Sequence, residues 1–215
     1  MFNLDSKKLL SAIIVTTTLV LSGCGNSTTD KIIEEIGTDH VANVSYINAL
    51  DDTTAFYLKS AVYNASVYDS QYKQSELVFG ETSNVIEHKW INGAKQTVFA
   101  IENAITNGSR TESTYDLSDN ENYWVVSWNN SGDEEISVFK RMPSSKPSVY
   151  AVRVFATNLL PITTYESDST VAIAEAGEIT STIYVDGCTD LTVGTVEVDL
   201  CQIATVGNSY LVVVD

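Results

Sequence analysis

Short β-forming runs separated by turn residues fill most of this 215-residue chain. From about residue 41 onward, stretches rich in Val, Ile, Thr and Tyr alternate with Gly, Asn, Asp and Ser every ten residues or so, which is typical of an all-β sandwich or barrel. The first block contains seven predicted strands, at residues 41–47, 55–59, 84–90, 97–101, 113–117, 123–128 and 135–140. Seven strands in about 100 residues suit an immunoglobulin-like sandwich.

The second half of the chain repeats features of the first half in the same order. Residues 44–50 match 152–158, Gly80-Glu81 matches Gly177-Glu178, residues 90–93 match 184–187, and residues 123–126 match 210–213. The only Pro-rich stretch, residues 142–148, lies between the two halves and indicates a linker. We therefore predict two tandem immunoglobulin-like domains at residues 41–142 and 149–215, joined by residues 143–148.

The second predicted domain is shorter, because no counterpart of the strand at 135–140 follows residues 210–214. A missing strand leaves a sheet edge open, and open edges pair with other chains. The sequence leaves three possibilities: the edge is covered by the first domain, it is covered by a partner strand, or the domain is a simpler six-stranded variant.

The first strands of both halves resemble those of an uncharacterised repeat of bacterial surface and secreted proteins. Val152-Arg153-Val154-Phe155-Ala156, and more loosely residues 43–58, are similar to the opening strands of that repeat, which often occurs in tandem. The family's repeat continues with a Gly-containing turn and a Thr-, Tyr- and Val-rich strand. This chain has a similar turn and strand after Gly93. The family's His is absent from 155–156, and the Pro of its loop is absent from the first copy. The resemblance implies the sandwich architecture over residues 41–215 and no particular chemistry.

The first 24 residues carry a targeting signal. Lys7 and Lys8 precede an apolar run at 9–20, which is too short to span a membrane and is typical of a secretion signal. Leu21-Ser22-Gly23-Cys24 resembles the lipobox of bacterial lipoproteins, which implies removal of residues 1–23 and lipidation of Cys24 with diacylglyceryl and N-acyl chains. Gly25, in place of Asp, favours the outer membrane, although the inner membrane and the face of the membrane stay open. Residues 24–40 then form a tether.

Cys188 and Cys201 remain once Cys24 is lipidated. In an exported chain such a pair favours a disulfide, because the compartment is oxidising. Two free buried thiols, or half of a metal site, are the alternatives.

The charge and the scarcity of histidine exclude several functions. Twelve Lys and Arg against 28 Asp and Glu give a net charge of -16, which disfavours nucleic acid and electrostatic docking on anionic lipid. The two histidines are His40 and His88, and there is no Gly-x-Ser-x-Gly, His-Glu-x-x-His, phosphate-loop or Cys-x-x-Cys motif. We therefore expect a non-enzymatic protein without a cofactor.

Two sets of residues are candidates for ligand binding. Asp116, Asp119 and Glu121 cluster hard oxygen donors of the kind that bind Ca²⁺ weakly, although soluble turns have the same composition. The segment 60–75 contains Tyr63, Tyr68 and Tyr72, which could contact a glycan or another ligand. The alternative is a loop folded back over a sheet edge.

The leading hypothesis is a lipid-anchored cell-envelope protein that serves as an adhesion or protein-interaction scaffold. One alternative is a surface lipoprotein that binds a glycan or a divalent cation through the tyrosine segment or the acidic turns. Another is an accessory subunit of an envelope assembly with one fixed partner.

Overall fold

The computed structural model describes residues 39–91, 94–106, 108–165, 167–201 and 204–215, with the side chains of 167–169 also outside the description. The predicted signal peptide, Cys24 and nearly all of the tether therefore lie outside the described residues. The described residues divide into two compact units between Met142 and Pro143. No helix within the described ranges is long and apolar enough to cross a membrane.

Within its described residues, the first unit contains eight strands and one short 3-10 helix at Ser70–Tyr72. The strands are β1 (Asp39–Asn48), β2 (Thr54–Ser60), β3 (Lys73–Leu77), β4 (Ile86–Ile91), β5 (Gln96–Asn103), β6 (Arg110–Asp116), β7 (Glu121–Asn130) and β8 (Asp133–Lys140). All seven predicted strands are present. The additional strand, β3, has the sequence Lys-Gln-Ser-Glu-Leu, whose polarity gives no strand signal.

These strands form two four-stranded sheets with the orders β4-β1-β7-β8 and β3-β2-β5-β6. All pairings are antiparallel except that of β1 with β7, which is parallel. The predicted all-β class is thus confirmed. The order differs from that of an immunoglobulin constant domain, in which the first two strands are members of one sheet; here β1 and β2 belong to different sheets.

The core of the first unit lies between its two sheets. Alternate residues of β1, β2, β5 and β7 are buried there, in keeping with the two-residue period of a strand. The buried cluster comprises Ala42, Val44, Tyr46, Leu50, Phe56, Leu58, Leu77, Trp90, Ala94, Phe99, Ile101, Leu117, Tyr123 and Val125. Trp124, Val126 and Trp128 are also buried, but on the opposite face of β7 from Tyr123 and Val125.

The second unit contains β9 (Tyr150–Ala156), β10 (Leu160–Thr164), β11 (Ser167–Ala174), β12 (Ile183–Val185), β13 (Leu191–Val193), β14 (Val196–Val198) and β15 (Ser209–Val214). Its sheets have the orders β12-β9-β15 and β11-β10-β13-β14. This is the order of the first unit without an eighth strand. Within the described residues no strand pairs with the outer edge of β15, yet all six of its residues are buried.

Strand register supports three of the four sequence matches. Val44 lies opposite Tyr123, and Val152 lies opposite Tyr210, in the parallel pairs of the two units. The N–H of Gly80 donates to the carbonyl of Asn48 at 2.8 Å, and the N–H of Gly177 donates to that of Ala156, at the equivalent position, at 2.9 Å. Both glycines have a positive φ, 77° and 74°, which favours glycine there.

The fourth match does not join equivalent positions. Tyr184 lies opposite Ala151, whereas the residue opposite the equivalent Asn43 is Glu87 and not Trp90. Residues 92 and 93 of that match lie outside the described residues.

In each unit a buried tyrosine holds the connection that leads into the strand parallel to the first one, β7 or β15. The N–H of Ser118 donates to the Tyr123 hydroxyl at 2.8 Å, and the N–H of Thr205 donates to the Tyr210 hydroxyl at 2.6 Å. The tyrosine is five residues downstream of the donor in both units. The same local geometry therefore recurs on two different sequences, which is what an internal repeat produces.

The predicted disulfide joins Cys188 to Cys201. Beside it, the N–H of Leu200 donates to the carbonyl of Cys188 at 2.8 Å. In the first unit the N–H of Leu117 donates to the carbonyl of Lys95 at 3.1 Å, and Lys95 Nζ lies 3.0 Å from an Asp116 carboxylate oxygen. An ion pair thus connects the two segments that a disulfide connects in the second unit.

Candidate functional site

Residues 61–72, which connect β2 to β3 and are called the lid here, fold back over the outer face of the β3-β2-β5-β6 sheet. Lys59 fastens the lid, because its Nζ donates to the carbonyls of Tyr63 at 2.9 Å and Ala65 at 2.5 Å. Val67 is 3% exposed and forms a small buried cluster with Ala55, Tyr57 and Ala100. The lid therefore gives the outer face of this sheet an apolar layer of its own.

Tyr68 completes the lid and connects it to a polar network beneath. Its ring lies edge-on to that of Tyr57, with ring centroids 5.5 Å apart, and the Arg110 guanidinium lies 4.5 Å from its ring centroid. Burial raises the pKa of the Tyr68 hydroxyl, and the Glu112 carboxylate adds to the rise. A phenol in this setting stays neutral and serves packing.

The network centres on Glu102, which is 5% exposed. One carboxylate oxygen accepts a hydrogen bond from the Tyr57 hydroxyl at 2.9 Å, and the other accepts from Arg110 Nε at 2.7 Å. Burial, together with this contact to Glu102, raises the pKa of Tyr57 to about 12. Because both oxygens of the buried carboxylate have donors, the network satisfies a buried charge and offers no unoccupied base.

The three predicted tyrosines have different environments. Tyr63 is 58% exposed, Tyr68 is half-buried in the lid, and Tyr72 is half-buried at the end of the 3-10 helix. The segment is thus folded back over a sheet, as in the alternative that the sequence left open, and Tyr63 is the one of the three that is largely exposed.

The three predicted metal ligands contact separate partners. Asp116 pairs with Lys95, Glu121 pairs with Lys140 Nζ at 2.6 Å, and Asp119 accepts from the N–H of Val41 at 2.8 Å. That backbone hydrogen bond, reinforced by His40, lowers the pKa of Asp119. The described residues contain no group of three or more His, Cys, Asp or Glu side chains placed to hold a metal ion. Calcium binding by these turns stays a prediction.

Both histidines stack on Trp90. The ring centroid of Trp90 lies 5.6 Å from that of His40 and 5.8 Å from that of His88, with interplanar angles of 25° and 20°. Burial lowers the pKa of His88 to about 4, so this imidazole is neutral at pH 7 and too weak a base for ordinary proton transfer there.

On the corresponding sheet face of the second unit, the part of the chain that the structure describes contains no lid. The connection from β10 to β11 spans only residues 165 and 166, too few to cross a sheet. Pro161 and Ile173 lie directly opposite each other on the outer face, and Val171 follows the same face of β11. Leu159, Val171 and Ile173 are 69%, 46% and 55% exposed, and Pro161 is also exposed. These four residues, Leu159, Pro161, Val171 and Ile173, are called the open face.

Register identifies the covered counterpart of the open face. Ala55 pairs with Glu76 and Pro161 pairs with Ile173, in each case one residue before the inward-facing Phe56 or Ile162. A register shift follows directly after Phe56 and after Ile162. Ala55 and Pro161 are therefore equivalent, but Ala55 is 1% exposed beneath the lid.

In β11 the small side chains face the core and the larger apolar side chains face outward. Ala172 and Ala174 face the core, while the larger Val171 and Ile173 face outward. A strand that needed only to fill a core would place its larger apolar side chains inward. Contiguous exposed apolar residues of this kind mark interaction surfaces.

Comparison with known proteins gives no family for this chain: no family model matches it, and no curated protein matches it. The features that bear on function are the lid-covered sheet face of the first unit, the open face of the second unit and the targeting sequence that ends at Cys24.

Proposed function

We propose that this chain is a non-enzymatic, lipid-anchored protein of the bacterial cell envelope that serves as a protein-interaction scaffold. The open face of the second unit is the observation that carries the interaction role. Four apolar residues are exposed there, at a position that the first unit covers with its own lid. Burying such side chains against a partner gains about 25 cal/mol for each Å² of apolar surface removed from water.

The proposed architecture is two copies of one β-sandwich of the immunoglobulin-like class. The shared strand order, the equivalent glycines and the recurrent tyrosine hydrogen bond support the duplication. Domains of the sandwich class share two packed sheets and do not always share strand order. The order found here is compatible with membership in that broad class.

The envelope location is supported by two independent features. The lipobox-like sequence ending at Cys24 provides the anchor, and the outer membrane is the proposed destination. The disulfide between Cys188 and Cys201 is of the kind that persists in oxidising compartments outside the cytoplasm.

A non-enzymatic role is supported by the contacts of Glu102 and the two histidines, which already bond to or stack on other side chains of the protein. Glu102 has donors on both oxygens, and both histidines stack on Trp90. The ligand-binding alternative has less support, because Val67 and Tyr68 of the tyrosine segment contact the protein's own sheet.

Site-specific photocrosslinking in intact cells tests the interaction role. A photoreactive amino acid replaces Ile173 in one variant and Val78, an exposed residue of the first unit, in the control. We expect a discrete protein adduct from position 173 that disappears when Val171→Thr is added, and no comparable adduct from position 78. Equal crosslinking at the two positions, or no adduct from either, would refute the role.

A further inference from the structure

We infer that the partner of the open face is a basic segment of another protein that presents an aliphatic and an aromatic side chain side by side. This inference rests on the interaction role proposed above and specifies the chemistry of the partner. It follows from what covers the equivalent face of the first unit and from the charge around the open face.

The lid shows what kind of segment fits this sheet face. In the first unit, consecutive residues Val67 and Tyr68 cover the outer face, with Val67 buried against Ala55 and Tyr68 edge-on to Tyr57. In the second unit β10 pairs with β11 in the way that β2 pairs with β3 at this point, but only two residues lie between Thr164 and Ser167. A segment from another chain can therefore supply the side chains that the second unit does not supply itself.

The charge of the second unit selects a basic partner. Residues 143–215 contain nine Asp and Glu against Arg153 and Lys146, and Lys146 Nζ lies over the Tyr184 ring of the other sheet, 4.3 Å from its centroid. Glu197 lies on the outer face of the same sheet, across from Thr192, and Glu175 follows directly after β11; both are exposed. The single arginine, Arg153, is in the other sheet and donates from Nε to the carbonyl of Thr180 at 2.9 Å. Complementary charge steers association and excludes like-charged surfaces.

The same charge argues against two other occupants. A second copy of the chain carries a net charge of -16 and would bring the acidic flanks of two open faces together. An anionic lipid surface is repelled for the same reason.

The test measures binding of three peptides to the mature chain carrying both units. The first peptide has the sequence of residues 61–72 with Asp69→Lys and two added lysines at each end. The second is identical except for Val67→Ser and Tyr68→Ser, so that it keeps the charge and lacks the apolar pair. The third keeps Asp69 and has glutamates in place of the added lysines. Methyl resonances of Val171 and Ile173 report the site of binding.

We expect the first peptide to shift these methyl resonances and to bind at least tenfold more tightly than either of the others. The double variant Val171→Thr/Ile173→Thr should weaken its binding at least tenfold, whereas Val78→Thr, an exposed valine of the first unit, should leave it unchanged. Equal binding of the first and second peptides, equal binding of the first and third, or unchanged binding by the double variant would each overturn the inference.

Crosslinking at position 173 separates this inference from the proposed function. A specific adduct in cells, together with no preference for the first peptide, would keep the interaction role and discard the basic partner. Binding to anionic vesicles that requires Val171 and Ile173 would replace the protein partner by a lipid surface and also overturn the inference.

Discussion

Replacing Asn48 by Ala removes a buried side chain that makes five hydrogen bonds in the first unit. Asn48 is fully buried at the end of β1. Its Nδ2 donates to the carbonyls of Asp52 at 2.8 Å and Leu77 at 3.0 Å. Its Oδ1 accepts from the N–H of Leu50 at 3.0 Å and from the hydroxyls of Thr54 at 3.1 Å and Ser127 at 2.8 Å. One amide thus connects β1 to β2, β3 and β7.

The expected cost follows from the groups left behind. A buried hydrogen bond contributes about 1 kcal/mol net, and a buried polar group left without a partner costs about 1–3 kcal/mol. Some of the five partners can relax toward water or toward one another, so we expect Asn48→Ala to lower the free energy of unfolding by about 3–5 kcal/mol. The matched control is Asn122→Ala, since Asn122 is half-buried and accepts one side-chain hydrogen bond, from Asn43 at 3.2 Å. We expect the control to lose about 1 kcal/mol or less.

Urea unfolding followed by tryptophan fluorescence measures this effect. Trp90, Trp124 and Trp128 are the only tryptophans and all lie in the first unit, so their fluorescence reports that unit alone. With a urea dependence of about 1–2 kcal/mol/M, the midpoint should fall by about 1.5–5 M, or the unit should be unfolded without urea. A midpoint for Asn48→Ala no lower than that of Asn122→Ala would refute the reasoning.

Three further predictions also use urea unfolding, followed by fluorescence for the first unit and by circular dichroism for the second. Tyr46→Phe should leave stability unchanged or raise it by about 1 kcal/mol, because the buried Tyr46 hydroxyl has no hydrogen-bond partner among the described residues; a loss above 1 kcal/mol would contradict this. Burial lowers the pKa of His88 to about 4, so the stability that its neutral form contributes is fully present above pH 6.5. That stability is lost as the pH falls toward 4, by up to about 3 kcal/mol. His88→Gln should remove this part of the pH dependence between pH 7 and 4.5, and a pH profile identical to that of the unchanged protein would contradict the prediction. Cys188→Ser/Cys201→Ser should destabilise the second unit by about 3 kcal/mol, measured by circular dichroism, while the fluorescence midpoint of the first unit stays unchanged.

The sequence predicts strands well where large apolar residues alternate with polar ones. Residues 41–47 largely follow this pattern and lie in β1, whereas residues 97–101 are a continuous apolar run after Thr97 and lie in β5. It fails at β3, whose residues are mostly polar because the strand lies at a sheet edge, where pairing with β2 and not burial determines its conformation. The pairing of β1 with β7 joins residues about 80 positions apart, and local patterns contain no information about that order.

The candidate site illustrates a second limit. The longer connection at 61–72 is visible in the sequence, but the face that it covers depends on the pairing of β2 with β5. In β11, Val171 and Ile173 alternate with Ala172 and Ala174, and size alone assigns the larger pair to the core. The structure places that pair outside, so the reversal became visible only once the register of β10 and β11 was known. The sequence does not predict the buried hydrogen bonds of Asn48 for a similar reason, since Leu77 and Ser127, two of its partners, are 29 and 79 residues away.

The most direct measurement of the central claim is the accessibility of position 173 to a thiol reagent, in the purified protein and in the intact envelope. Ile173→Cys provides the probe, and Val78→Cys is the control in the first unit. The open face should label rapidly at position 173 in the purified protein and at least tenfold more slowly in the envelope, where a partner covers it, while position 78 labels alike in both. Equal rates at position 173 in the two settings would show that nothing covers the open face and would contradict the scaffold role.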